Sequence, residues 1–142
     1  LKQLFILSRK MAVEFSMSAD IPACIIISIH SRYGTPNEFA PNEIIRDVAY
    51  FAFNDGELGE NTISETQARQ MARFVTRWFD EVEAVVVHCA TGISRSAGIG
   101  AAIMKWADGD DSDVFNCSSF RPNMKCYRLM LDALMKIEQK EG

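Results

Sequence analysis

Four short runs rich in Ile, Val and Phe stand out along the chain, at residues 3–7, 23–29, 48–53 and 84–88, and they predict four β-strands. Between the third and fourth, Ala68, Met71, Ala72, Val75 and Phe79 recur at helical spacing and put one apolar stripe on a helix over residues 64–80. Ser64 and Gln67 have the spacing of a capping box at its start. A second helix is expected to open at Arg95 and run to Asp108 and Gly109. A third follows Pro122, with Tyr127, Met130, Leu131, Leu134 and Ile137 on its inner face. A shorter helix is expected after Ser8. Strands that alternate with helices define an α/β fold: a three-layer sandwich in which helices flank a mostly parallel central sheet of four to five strands, here as a single domain over residues 1–142. Residues 31–42, with Gly34, Pro36 and Pro41, read as a loop, and so do residues 55–64. Ligands bind beyond the carboxyl ends of the strands in such sheets, where the second of these loops and the one after His88 both lie.

Composition narrows the function. With 142 residues, 48% hydrophobic and 24% charged, the chain has the profile of a folded globular domain. Lys and Arg number 15 against 19 Asp and Glu, a net charge of −4, so no broad positive field exists to hold a nucleic acid or an anionic membrane, and neither is an expected partner. An anionic ligand must be held by a local device. The apolar stretch near the start is too short for a signal segment or a membrane span. Cys24 lies in an apolar run and Cys89 in a motif that needs a free thiol; all four cysteines are read as reduced and the compartment as cytoplasmic. The two histidines argue against a His-based zinc site, and Asp108, Asp110, Asp111 and Asp113 lack the glycine and glutamate of a calcium loop and read as a turn between helices. No metal or cofactor is expected. The row Arg69, Arg73 and Arg77 reads as a solvated helix face, with Glu65 placed to pair with Arg69. The oligomeric state stays open, a monomer being compatible with the pattern.

The segment from Val85 to Gly98 reads Val-Val-Val-His-Cys-Ala-Thr-Gly-Ile-Ser-Arg-Ser-Ala-Gly: a strand, a tight loop and a helix start. The strand delivers Cys89, Gly92 permits a turn that other residues resist, and small residues after Arg95 suit a helix packed closely on the sheet. The backbone N–H groups of Ala90, Thr91, Gly92, Ile93, Ser94 and Arg95 can point inward as a nest, to which the helix N-terminus adds partial positive charge. That arrangement suits a phosphate. The same field favours a thiolate, since cysteines in such settings fall from a pKa of ~8.5 to roughly 3.5–7.5. Arg95 adds a planar fork able to grip two phosphoryl oxygens. Release of an alcohol then needs a proton donor, and Asp55, Glu57 and Glu60 compete for that role on the loop after the third strand.

These residues resemble the cysteine-based protein tyrosine phosphatases, and within them the small dual-specificity branch with its compact bacterial and phage relatives. The stretch from His88 to Ser96 is similar to the family signature His-Cys-x5-Arg-Ser/Thr. The resemblance implies Cys89 as nucleophile, Arg95 as phosphate clamp, Ser96 as a hydroxyl that assists breakdown of a cysteinyl-phosphate, and His88 as support for the loop. Phe53-Asn54-Asp55 resembles the segment that carries the general acid, which implies Asp55. Pro122-Asn123, followed by Tyr127 and Leu131, is similar to the segment whose asparagine braces the phosphate loop, which implies Asn123. The implied activity is metal-independent hydrolysis of phosphomonoesters on a phosphorylated protein or peptide. The chain lacks a Trp-Pro-Asp at the acid loop, against strict tyrosine specificity, and its loop interior lacks the lysines of phosphoinositide-directed relatives. A phosphopeptide-binding pseudophosphatase is the alternative, which the intact Cys89, Arg95 and Asp55 disfavour. A thiol redox or sulfur-transfer enzyme is disfavoured by the missing resolving cysteine at close spacing.

Overall fold

The structure of the protein, a computed structural model, describes residues 2–32 and 39–141. Residues 33–38, which include Gly34 and Pro36 of the first expected loop, lie outside the described residues. Four strands, β1 (Gln3–Ser8), β2 (Cys24–His30), β3 (Ile45–Ala52) and β4 (Ala84–Cys89), form one sheet in the order β1-β4-β2-β3, with every neighbouring pair parallel. The two inner strands, β2 and β4, are buried almost throughout, as continuous apolar runs covered on both faces must be. Alternation assigns their side chains: Ile25, Ile27, Ile29, Val85 and Val87 face one side, and Ile26 and Val86 the other.

Helices cover both faces. On one side α1 (Arg9–Met17) packs Ala12 and Phe15 against Ile26 and Val86. On the other, α2 (Glu65–Trp78), α3 (Arg95–Asp108) and α5 (Met124–Glu141) enclose the larger core. The capping box of α2 is made in full: Ser64 Oγ accepts from the Gln67 amide and Gln67 Oε1 from the Ser64 amide, each at 3.1 Å. Its apolar stripe buries Ala68, Met71, Ala72 and Val75, while Glu65 and Arg69 meet at 3.8 Å on the exposed face. The helix gives way at Phe79 to a 3-10 turn (Phe79–Glu81). The aspartate-rich stretch after α3 contains a one-turn helix, α4 (Ser112–Phe115), where only a turn was expected. A hydrogen bond from Tyr127 Oη to Asp111 and an edge-on contact of Phe115 with the Tyr127 ring fasten it to α5.

One close approach positions the site. A Cβ on Gly98 would lie 2.4 Å from the carbonyl oxygen of Asn123, so only glycine lets the start of α5 rest against the first turns of α3. Asn123 is thereby set beside the loop that follows β4. Among the described residues, no helix is long and apolar enough to cross a membrane.

Candidate active site

Because the sheet is parallel, the carboxyl ends of all four strands meet at one edge, and Ser8, the last residue of β1, pairs with Cys89, the last of β4. The loop that follows closes over residues 90–94 and opens into α3 at Arg95. Gly92 has φ +73°, and a Cβ there would meet the Ser8 nitrogen at 2.5 Å. The loop therefore rests on the backbone of β1. Three main-chain bonds hold its outer side: Arg9 N–H donates to Ala90 O (3.3 Å), Arg121 N–H to Ile93 O (2.9 Å) and Asn123 N–H to Ser94 O (2.9 Å). Ser94 is the N-cap of α3, but its side chain makes no capping bond and donates instead to Asp55 Oδ1 at 2.8 Å. The first turn of α3 is left without a side-chain cap, at the end of a helix where anions are held.

Three of the four free cysteines are buried, and their surroundings set them apart. Burial pushes the Cys24 thiol up to about 11 and that of Cys126 up to about 12. Burial also pushes Cys89 up, but hydrogen bonds with the Ser96 hydroxyl and amide and the Gly92 amide, together with the charge of Arg95, outweigh it and hold the thiol below its ordinary value. Ser96 Oγ lies 3.1 Å and the Gly92 nitrogen 3.3 Å from the Cys89 sulfur. A lowered pKa at the start of a helix favours the thiolate form of a cysteine.

Asp55 follows β3 across the site. Its Oδ1 accepts from Ser94 Oγ and from Asn123 Nδ2, both at 2.8 Å, and Asn123 Nδ2 also donates to Gly56 O at 2.9 Å. Asn123 thus joins the two loops, its backbone gripping Ser94 and its side chain the loop after β3. Burial raises the Asp55 pKa, but the bonds from Asn123, Ser94 and the Gly56 amide and the charge of Arg95 bring it below the usual carboxylate value. Glu57 lies 3.9 Å from Arg128 with both side chains largely exposed, and Glu60 is exposed. The geometry joins Asp55, rather than either glutamate, to the loop after β4.

Arg95 is 6% exposed, and its Nη1 donates to Phe53 O (2.8 Å) and to Ser31 Oγ (3.3 Å). Arg95 is thereby tied to the ends of β2 and β3, a link to Ser31 that no local sequence feature announces. The loop after β3 is closed on itself by Asn54 N–H to Asn61 O (2.6 Å). It is further held by the Arg32 backbone on Asn54 and by Lys125 on Thr62.

His88 lies inside the sheet, its Nε2 2.6 Å from Ser28 Oγ and its ring against Phe39. Its Nδ1 has no partner among the described residues. Burial lowers its pKa to about 4, with the charges of Arg9 and Arg95 adding to the effect against an opposing pull from the Cys89 backbone. An unfolded chain binds this proton at the ordinary value of 6.5, so His88 favours folding fully above that pH. Its contribution is lost as pH falls from 6.5 towards 4. Urea titrations are expected to show about 3 kcal/mol of stability disappearing over this window, and His88→Asn to flatten the slope.

No protein-family model and no curated protein matches the sequence. The fold is nonetheless that of the cysteine-based protein tyrosine phosphatases in their small dual-specificity form. DUSP15 superposes with a TM-score of 0.60 at 17% identity, over 100% of this chain and 94% of its own. Tk-PTP in its active form gives 0.60 at 12% identity, over 96% and 94%. PTPMT1 in complex with PI(5)P gives 0.59 at 12% identity, over 99% and 95%.

Proposed function

We propose that this protein is a metal-independent phosphomonoester hydrolase acting on phosphotyrosine, and on phosphoserine and phosphothreonine, in proteins or peptides. The observation that carries the reading is the lowered pKa of a buried cysteine at the mouth of a helix, with Arg95 and Asp55 fastened to the same loop. Ala90, Thr91, Gly92, Ile93, Ser94 and Arg95 supply the amides that cradle the phosphoryl group, and the Arg95 guanidinium grips two of its oxygens. Cys89 Sγ attacks phosphorus, the bond to the alcohol oxygen breaks, and Asp55 gives that oxygen its proton. In the free protein Asp55 is a carboxylate, and the negative charge of the bound phosphoryl group raises its proton affinity. Once the alcohol leaves, Asp55 is again a carboxylate and draws a proton from the water that attacks the thiophosphoryl intermediate. Ser96 Oγ, 3.1 Å from the sulfur, stabilises the thiolate as it departs.

Turnover of an aryl phosphate in excess chelator, with inhibition by vanadate, tests the reading. Absence of turnover would overturn it in favour of a phosphopeptide-binding module. Asp55→Asn is expected to slow esters of poorly leaving alcohols by about 10²-fold or more, and p-nitrophenyl phosphate far less. A uniform, modest loss across leaving groups would move the acid to Glu57 or Glu60.

A further inference from the structure

At the amino ends of β1 and β4, opposite the edge that carries Cys89, two adjoining cavities of about 300 Å³ each share Phe79 and Ala107 in their walls. Leu4, Ile103 and Met104 line the first and Trp106 the second, while the Phe79 ring, edge-on to Trp106 with centroids 5.0 Å apart, borders both. Acids stand along this apolar groove, Asp108 and Asp113 at the first cavity and Asp80 at the second. All three are exposed, and none has a hydrogen-bond or ion-pair partner among the described residues. Asp108 is the last residue of α3, where the helix dipole is already negative, so a carboxylate there works against the helix and suits a cation. Lys105, one turn earlier, is committed to Gly109 O at 3.2 Å. One cation of the chain already uses the aromatic wall: Lys2 Nζ lies 5.5 Å from the Phe79 ring centroid while it donates to Val82 O. The groove thus combines an apolar floor, a ring face that seats an ammonium group, and carboxylates that nothing neutralises.

We propose that this groove docks a basic segment of a protein substrate, an apolar side chain beside Lys or Arg, and so raises the local concentration of the phosphorylated residue at Cys89. The proposal takes its substrate from the phosphatase reading, whereas the groove stands on its own geometry. Exposed ion pairs alone bind weakly, so the apolar cavity beside the carboxylates supplies the anchor. The two ends of the molecule are joined by α3, whose 14 residues run from Arg95 in the site to Asp108 at the groove, a span of about 20 Å. An extended peptide advances about 3.5 Å per residue, so at least about six residues must separate the basic segment from the phosphorylated one.

Calorimetric titration of an unphosphorylated peptide, a leucine flanked by arginines, compares the native protein with Asp108→Asn/Asp113→Asn. Both side chains are exposed and unpaired, so the variant is expected to keep the native fold and melting temperature. The native protein is expected to bind the peptide about fivefold more tightly than the variant does, less so as salt rises. Serine in place of the leucine is expected to cost about tenfold. Joined to a phosphotyrosine by a Gly-Ser linker of about 12 residues, the segment should lower KM about tenfold with kcat unchanged; joined by about two residues, it should give no gain. The variant should lose the gain and keep the native rate on p-nitrophenyl phosphate. Equal affinity of native protein and variant, indifference to the leucine, or a gain with the short linker would overturn the proposal. So would self-association of the native protein that the variant lacks, which would assign the groove to a second copy of this chain. Absence of aryl phosphate turnover would remove the phosphatase reading alone, since the unphosphorylated peptide reads the groove directly.

Discussion

Cys89→Ser is expected to lower kcat by about 10⁴-fold or more while leaving the fold and the phosphate site in place. A serine hydroxyl is close in size to the thiol and keeps a hydrogen-bonding partner in Ser96 Oγ and the Gly92 amide, which lie 3.1 and 3.3 Å from the sulfur. What it cannot do is ionise near neutral pH, and the surroundings of Cys89 favour ionisation even though burial opposes it. The variant should still bind a phosphopeptide or vanadate and melt close to the native temperature. Turnover within tenfold of the native protein would remove Cys89 from the chemistry and leave the loop as a binding device.

Arg95→Lys is expected to cost about 10³-fold in kcat/KM. The guanidinium is buried and spends one nitrogen on Phe53 O and Ser31 Oγ, which leaves the rest of its planar fork free for two phosphoryl oxygens. A lysine has a single ammonium group and cannot hold the strand ends and the phosphate at once. The loss should therefore fall on kcat as well as KM, because the Phe53 carbonyl that Arg95 grips lies two residues from Asp55. Steady-state kinetics on p-nitrophenyl phosphate reads this directly; a loss below tenfold would mean that the loop amides alone bind the phosphoryl group.

The inner strands could be read from the sequence because a strand covered on both faces is apolar at nearly every position, as in β4 and β2, where His88, Ser28 and His30 are the exceptions. The edge strand β3 was harder. It begins at Ile45, three residues before the expected start, because Arg46 and Asp47 break the apolar run and are tolerated where one side faces solvent. Asp47 even accepts a bond from the Trp78 indole, a partner 31 positions away. Cys89, Gly92 and Arg95 could be grouped from the sequence because they are neighbours in the chain. Among Asp55, Glu57 and Glu60 residue type alone does not choose, and only the resemblance of Phe53-Asn54-Asp55 pointed to Asp55. Contacts with Ser94 and Asn123, 39 and 68 positions away, are what distinguish Asp55 in space. The grip of Arg9 and Arg121 on the loop runs through main-chain atoms, which carry no residue-type signal.

The loop after β4 is held by distant stretches of chain: Leu7 and Ser8 lie against Gly92, and Arg9, Arg121 and Asn123 bond its carbonyls. The amide of Gly92 that helps lower the pKa of Cys89 is seated against Leu7 and Ser8. Until those segments have closed on β4, Cys89 is an ordinary thiol, mostly protonated and slow to react with oxidants. Reactivity thus arrives with the completed fold, and a nascent or partly unfolded chain keeps its most vulnerable sulfur in its least vulnerable form.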